Sequence, residues 1–372
     1  MGVLMRRVVN VVGLAVSVAI AGCSDAIDPV LRSGADAAEL QRVIDSSRIA
    51  MGIPGAVVVV RVTGGSEYVL TSGVENLASG SAMSFANRFR IGSITKTMIA
   101  TVALQLVDEG AIALTDPISR LIPGSITNAD RITIRMILNH TSGVPDYVDD
   151  PAVLASVRDN PGRTFTAAEA IAAANRQAPR FAPGAEGKWE FSNTNYILLG
   201  LVIESVTGMS IDQALQRRIF DRLGMSSTFF ATTVVAPPPF SRGYSDLEGA
   251  PNADVTTLLS PTFAGAAGAV VSNARDLVVW SQALADGSLL SAARHADQLT
   301  PVLASSVEAY GLGAQKFGGW VGHSGEMAGF EASMYTRPGV GTIVVLINKS
   351  FGEGSPAFEI FDRVRWAEFG TR

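Results

Sequence analysis

Ser93 and Lys96 stand three residues apart at the head of an apolar stretch, Ile94 to Leu106, in which Ile99, Val102, Ala103 and Leu106 recur at helical spacing. Residues three apart share a helix face, so a hydroxyl and an amine at these positions can meet. Lys96 precedes Ile99 and Ala103 on the stripe expected to be buried. Desolvation there lowers the pKa of an amine and favours the neutral form, which can take a proton from a serine hydroxyl. Backbone N–H groups at the helix start would help hold an oxyanion. Only Lys96, Lys188, Lys316 and Lys349 are lysines, so placing one in an apolar helix is a specific choice. On spacing alone the pair is a common pattern, because a serine cap followed by a surface lysine occurs in many helices.

Other chemistries lack their residues. His140, His295 and His323 are far apart and Cys23 is the only cysteine, which leaves no ligand pattern for a metal hydrolase. No Gly-x-Ser-x-Gly elbow occurs, and the glycines near Gly265 and Gly311 match neither a phosphate loop nor a dinucleotide fingerprint. No cofactor is implied. A net charge of −5 without a Lys/Arg-rich run excludes a nucleic-acid surface. With 47% apolar and 17% charged residues, the 372-residue chain can bury a large core. A single cysteine leaves that core to hold the fold without internal disulfides.

The elements that must position the pair follow from periodicity. Ala37 to Ala50 reads as a first helix with Leu40, Val43 and Ile44 on one side. Ala56 to Val62 and Tyr68 to Thr71 form a hairpin through Thr63-Gly64-Gly65-Ser66. From about 112 to 235 the chain reads as helical pieces broken by Pro and Gly, among them Thr166 to Arg176 and Tyr196 to Val206, without a clear strand pair. A helix is expected at about Ala274 to Ala285. Strands follow at Gly319 to Gly322, Glu331 to Thr336 and Thr342 to Asn348, and a last amphipathic helix at Phe358 to Phe369. Strands at both ends with helices between suggest one sheet, from about 37–92 and 260–372, with a helical lobe at about 94–235.

The N-terminus opens with Arg6 and Arg7, continues apolar from Val8 to Ile20 and ends in Ala21-Gly22-Cys23-Ser24, a secretion signal too short for a comfortable span of ~20 residues. Ile20-Ala21-Gly22-Cys23 resembles a bacterial lipobox. That resemblance implies lipid on Cys23, removal of residues 1–22, a tether at 23–36, and an exported protein anchored at the membrane surface of the cell envelope.

Four motifs occur in one order: Phe89-Arg90-Ile91-Gly92-Ser93-Ile94-Thr95-Lys96, Asn139-His140-Thr141-Ser142-Gly143, Ser192-Asn193-Thr194-Asn195-Tyr196, and Gly322-His323-Ser324-Gly325. With Leu223-Gly224-Met225 and Gly265 to Gly268, they make the chain resemble the class C β-lactamases, D-alanyl-D-alanine carboxypeptidases and related esterases, from about residue 38 to about 350. The resemblance implies a mixed α+β fold of the β-lactamase/transpeptidase type, an antiparallel sheet flanked by helices with an inserted helical lobe. It further implies that Ser93 forms an acyl-enzyme, Lys96 activates it, and Asn193 bonds Lys96 and the substrate. His323 and Gly325 match the strand edge beside the site. The N–H groups of Ser93 and Glu326 would form the oxyanion hole. The substrate would be a cell-wall peptide, a β-lactam or an ester.

One position departs from the family. Its second motif usually carries Tyr-x-Asn, and this chain has Phe191-Ser192-Asn193, so the hydroxyl that relays protons to the leaving group is missing. Acyl transfer would then depend on Lys96 alone, on His323 or on a water, and Tyr196 is a weaker substitute one turn on. His140 is read as organising a turn, His295 as lying in a surface helix, and Asp146 and Tyr147 as either lining the cleft or packing the loop. The leading expectation is a serine acyl hydrolase. The alternative is a lipid-anchored, penicillin-binding-like module that binds cell-wall peptide or a protein partner without turnover.

Overall fold

β-Branched residues favour extended backbone, and Val57 to Val60 place alternate side chains on opposite faces of strand β1 (Gly55–Val62). All four are at most 1% exposed, so both faces of β1 are covered and each valine contributes about 1.5–3 kcal/mol of burial. β1 pairs antiparallel with β2 (Glu67–Asn76) on one side, Val58 opposite Leu70. On the other side it pairs with β5 (Gly341–Ile347), Val58 opposite Val345. β5 is followed across the sheet by β4 (Phe330–Arg337) and β3 (Trp320–Met327), then by the short strands Gln315–Phe317, Ala309–Tyr310 and Leu303–Ala304. Ser81–Ala82 closes the opposite edge, and every pairing in this nine-stranded sheet is antiparallel. The computed structural model describes residues 34–247, 250–304, 309–352 and 354–370. The proposed signal, Cys23 and most of the tether lie outside the described residues.

The period of two along the strands sorts the core into two layers. Ala56, Val58, Val60, Ile343, Val345 and Ile347 face helices α1 (Ala37–Ala50) and α5 (Pro356–Phe369), packing on Leu40, Ile44, Ile360, Phe361 and Val364. Val57, Val59, Ala332, Met334, Val344 and Leu346 face the opposite way, into a core shared with α4 (Ala274–Asp286) and the helical lobe. That lobe is centred on α2 (Thr95–Asp108), in which Thr95 to Leu106 are all buried, and on α3 (Asn193–Thr207), which ends at Gly208 in the left-handed region, φ 65°. The indole N–H of Trp280 on α4 donates to Thr97 Oγ1 at 2.8 Å and ties α4 to α2.

The chain differs from the sequence expectation in its small strands. Phe229–Phe230, in the stretch expected to be helical, pairs with Val270–Val271, and Phe89–Arg90 pairs with Val271 and Ser272 on the other side. Strands of two or three residues carry too little periodicity to be seen in sequence, and tertiary pairing alone defines them. Tyr244–Leu247 and Ala250–Asp254 form a hairpin beside Lys349–Ser350 that was likewise not anticipated. β3 runs to Met327, well past the expected end at Gly322.

Candidate active site

The small sheet places both ends of the site. Phe89–Arg90 leads directly into a tight turn, Gly92–Ile94, and then into α2. Gly92 has φ 50°, and a Cβ there would lie 2.5 Å from Glu326 N and 2.4 Å from Glu326 O. A Cβ on Gly325 would lie 2.1 Å from Ile91 O and 2.7 Å from Ser93 N. Two glycines therefore let the end of β3 abut the nucleophile turn, and they bring the N–H groups of Ser93 and Glu326, the expected oxyanion donors, to one junction.

Ser93 is half-buried, whereas Lys96 and Asn193 are 0% exposed. Lys96 Nζ is 2.9 Å from Ser93 Oγ, 2.8 Å from Asn193 Oδ1 and 2.8 Å from Ala267 O. As an ammonium, Lys96 donates to all three. As a neutral amine, it donates its two N–H groups to Asn193 Oδ1 and Ala267 O, neither of which has a proton to give, and its lone pair faces the Ser93 hydroxyl. Burial drives the Lys96 pKa down from 10.5 to about 7, with Asp146 pulling the other way. A substantial share of the molecules thus hold a neutral base at neutral pH.

Asn193 is oriented from behind. Its Nδ2 donates to Asp146 Oδ2 at 2.8 Å, and its backbone N–H donates to the same oxygen at 2.9 Å, which turns Oδ1 towards Lys96. Burial pushes the Asp146 pKa up to about 6, opposed by these hydrogen bonds. Asp146 thus backs the cleft through Asn193. Tyr147 does not line it: its hydroxyl donates to Phe263 O at 2.5 Å, and its ring packs on Phe165 and Phe263.

The ring of Phe191 lies 4.9 Å from Lys96 Nζ and 4.6 Å from the imidazole of His140. Tyr196 supplies no replacement hydroxyl, because it is fully buried and its O–H donates to Leu138 O at 2.9 Å. His140, at φ 62°, does shape its turn. Its Nδ1 accepts from Ser192 N–H and Asn195 Nδ2, both at 3.2 Å.

His323 enters a chain of protons that the hydrogen bonds orient. With Nδ1 accepting, neutral His140 carries its proton on Nε2 and donates to Tyr310 Oη at 3.3 Å. Tyr310 Oη lies 3.3 Å from His323 Nε2 and donates to it, while His323 Nδ1–H donates to Ser324 O. Burial keeps both imidazoles neutral, with the His140 pKa well below 6.5 and that of His323 lowered to about 3. Both ring nitrogens of His323 are therefore held by the protein, and Tyr310 straps β3 to the 139–143 turn. His295 lies on the short helix Ala292–Leu299, with Nε2 3.2 Å from Leu284 O and remote in sequence from this network. Among the described residues no group of three metal-ligating side chains occurs.

Sequence reading brought Ser93, Lys96, Asn193, Gly325 and Glu326 to one place on paper, and the geometry puts them together. It missed Asp146 as the orienting group, Ala267 O as a Lys96 acceptor and Tyr310 as the bridge. The Gly265–Ala267 turn that presents Ala267 O, with Gly265 at φ 47°, lies in the Gly265 to Gly268 segment that supports the resemblance, but nothing in that segment pointed to a contact with Lys96.

Comparison with known proteins bears on the family and the fold. The family model described as Beta-lactamase matches residues 40–365. Penicillin-binding protein 4 of Amycolatopsis lactamdurans is 27% identical over 339 residues, 84% of this chain and 85% of that protein. Esterase EstB of Burkholderia gladioli is 29% identical over 222 residues, 56% of this chain and 55% of the esterase. The chain spans 55% to 61% of the length of three of the curated relatives it matches. A solved structure of a D-stereospecific amidohydrolase from Streptomyces sp. superposes with a TM-score of 0.78 at 35% identity, covering 91% of this chain and 100% of that one.

Proposed function

The chain belongs to the Beta-lactamase family, and on that premise we propose that it is a serine acyl hydrolase working through an acyl-Ser93 intermediate. The observation that carries this is the Lys96 amine, sealed from water, with two carbonyl-type acceptors and the Ser93 hydroxyl around it. Neutral Lys96 takes the hydroxyl proton as Ser93 Oγ bonds to the substrate carbonyl. The N–H groups of Ser93 and Glu326 stabilise the resulting oxyanion, which collapses by expelling the leaving group as its anion. That anion takes a proton from solvent, and Lys96 returns the proton it took from Ser93, so that it is a neutral amine again. In the second half, Lys96 takes a proton from water, the water oxygen attacks the acyl carbon, and Ser93 regains its proton as the acid departs.

The similarity to a penicillin-binding protein, an esterase and an amidohydrolase supports a peptide, a β-lactam or an ester as the acyl donor. Export and a lipid anchor on Cys23 rest on the resemblance of Ile20-Ala21-Gly22-Cys23 to a lipobox. Phe191 favours one second reading, a module that binds cell-wall peptide without turnover. Steady-state hydrolysis of a para-nitrophenyl ester separates the two. The enzyme reading expects turnover that Ser93→Ala abolishes. Turnover unaffected by Ser93→Ala, or none with the intact protein, contradicts it.

A further inference from the structure

We propose that the site is selective for esters of acidic alcohols, such as aryl and enol esters, over unstrained amides and esters of basic alcohols. The inference rests on the acyl-Ser93 reading and concerns how the leaving group departs. An unstrained amide nitrogen cannot leave as an anion, so C–N cleavage requires a proton delivered to nitrogen as the bond breaks. An ester of an acidic alcohol needs no such delivery, because its oxygen departs as a stable anion.

The geometry supplies the base for attack but places no acid for departure. The Lys96 N–H groups are aimed at Ser93 Oγ, Asn193 Oδ1 and Ala267 O. Among the described residues, the Ser93 hydroxyl is the only hydroxyl in hydrogen-bond contact with Lys96. Phe191, a hydrocarbon ring 4.9 Å from Nζ, fills the neighbouring space. The phenols that could stand in for it are committed elsewhere: Tyr196 donates to Leu138 O, Tyr147 to Phe263 O, and Tyr310 sits between two imidazoles. His323 offers no proton either, since its Nδ1–H is on Ser324 O and its Nε2 is an acceptor.

The step balances without a placed acid when the leaving group is a good one. The Ser93 O–H bond breaks with its proton going to Lys96, the Oγ–C bond forms, and the C–O bond of the ester breaks with its electron pair leaving on oxygen. That anion takes up a proton from solvent, and Lys96 returns its own to solvent before deacylation.

The test is a leaving-group series on a single acyl group: butyryl esters of para-nitrophenol, phenol, trifluoroethanol and ethanol, and the matching para-nitroanilide. All form the same acyl-enzyme, so differences in kcat/KM report acylation alone. The expected result is a steep fall in kcat/KM with rising leaving-group basicity, by ~10²–10⁴ from the aryl to the ethyl ester, the range general acid help is worth, with the anilide slowest. Phe191→Tyr is expected to raise the ethyl ester and anilide rates by about tenfold or more than it raises the para-nitrophenyl ester, flattening the slope. A flat dependence in the native protein overturns the inference and leaves acyl transfer standing. Absence of turnover on every ester overturns both. The slope of the native protein decides the matter even where Phe191→Tyr folds poorly.

Discussion

Lys96 is fully enclosed, so its titration should be visible in the chemistry of a half-exposed serine. Its folded-state pKa of about 7 lies below the ordinary 10.5, and only the neutral form can accept the Ser93 proton. The kcat/KM for a neutral ester should therefore rise with pH along a limb of apparent pKa near 7 and level off above it, read from a pH–rate profile. The Asp146 carboxylate holds the Lys96 value up, so Asp146→Asn, which keeps an oxygen acceptor for Asn193, should move that limb to lower pH. A limb that stays in place would remove Asp146 from the account. The serine and lysine were legible because three-residue spacing and an apolar stripe are local facts. Asp146 was read only as a residue of the cleft or of the loop, and its hold on Asn193 was not legible, because the two meet across 47 positions of sequence and nothing in the turn announces the partner.

At the scale of elements, the site depends on β3 meeting the Gly92–Ile94 turn, and β3 has a second peculiarity just beyond that junction. Glu326 and Glu331 face each other across β3 and β4. Glu326 Oε1 accepts from Gly352 N–H at 2.9 Å and Glu331 Oε2 from Ala357 N–H at 3.2 Å. Burial and mutual repulsion raise the pKa of the pair above the ordinary 4.5, so the folded state binds protons that the unfolded chain has already released. Stability contributed by this pair is present below about pH 4.5 and is lost as pH rises through the raised folded-state values, about 8 for Glu326 and well above 4.5 for Glu331. Glu331→Gln should flatten the fall of Tm between pH 6 and pH 8, as followed by thermal unfolding in a buffer series. A variant with the same slope as the native protein would exclude the pair as its source. The long elements α1, α2, α4, α5, β1, β2, β4 and β5 were readable because each carries turns or alternations of hydrophobic pattern, whereas only the start of β3 was, since Gly322-His323-Ser324-Gly325 interrupts the pattern. The strands that hold the Ser93 turn and the Ala267 carbonyl are two or three residues long, and only their partners define them.

Across the whole molecule, the N- and C-terminal helices share one face of a sheet whose other face carries the catalytic lobe. Helix α1, the first of the described helices, thus packs on the side away from Ser93. Asp36 caps α1 on that side by accepting from Glu39 N–H. Cys23→Ala should move the protein from the membrane fraction to the soluble fraction on fractionation of the producing cells, and retention in the membrane would contradict the lipid anchor. Fold class was legible at this scale from strands at both ends and helices between. The two-layer division of the core became visible only once the register across β1 and β5 was known.

The most direct test of the account is intact-mass spectrometry of the purified protein after exposure to an aryl ester and, separately, to a penicillin, followed by peptide mapping. The account predicts a single acyl adduct on Ser93 that is absent in Ser93→Ala and forms ~10²–10⁴ times more slowly in Lys96→Ala. An adduct on another residue, or none at any pH between 6 and 9, where the Lys96 amine with its pKa of about 7 should become available, would contradict it.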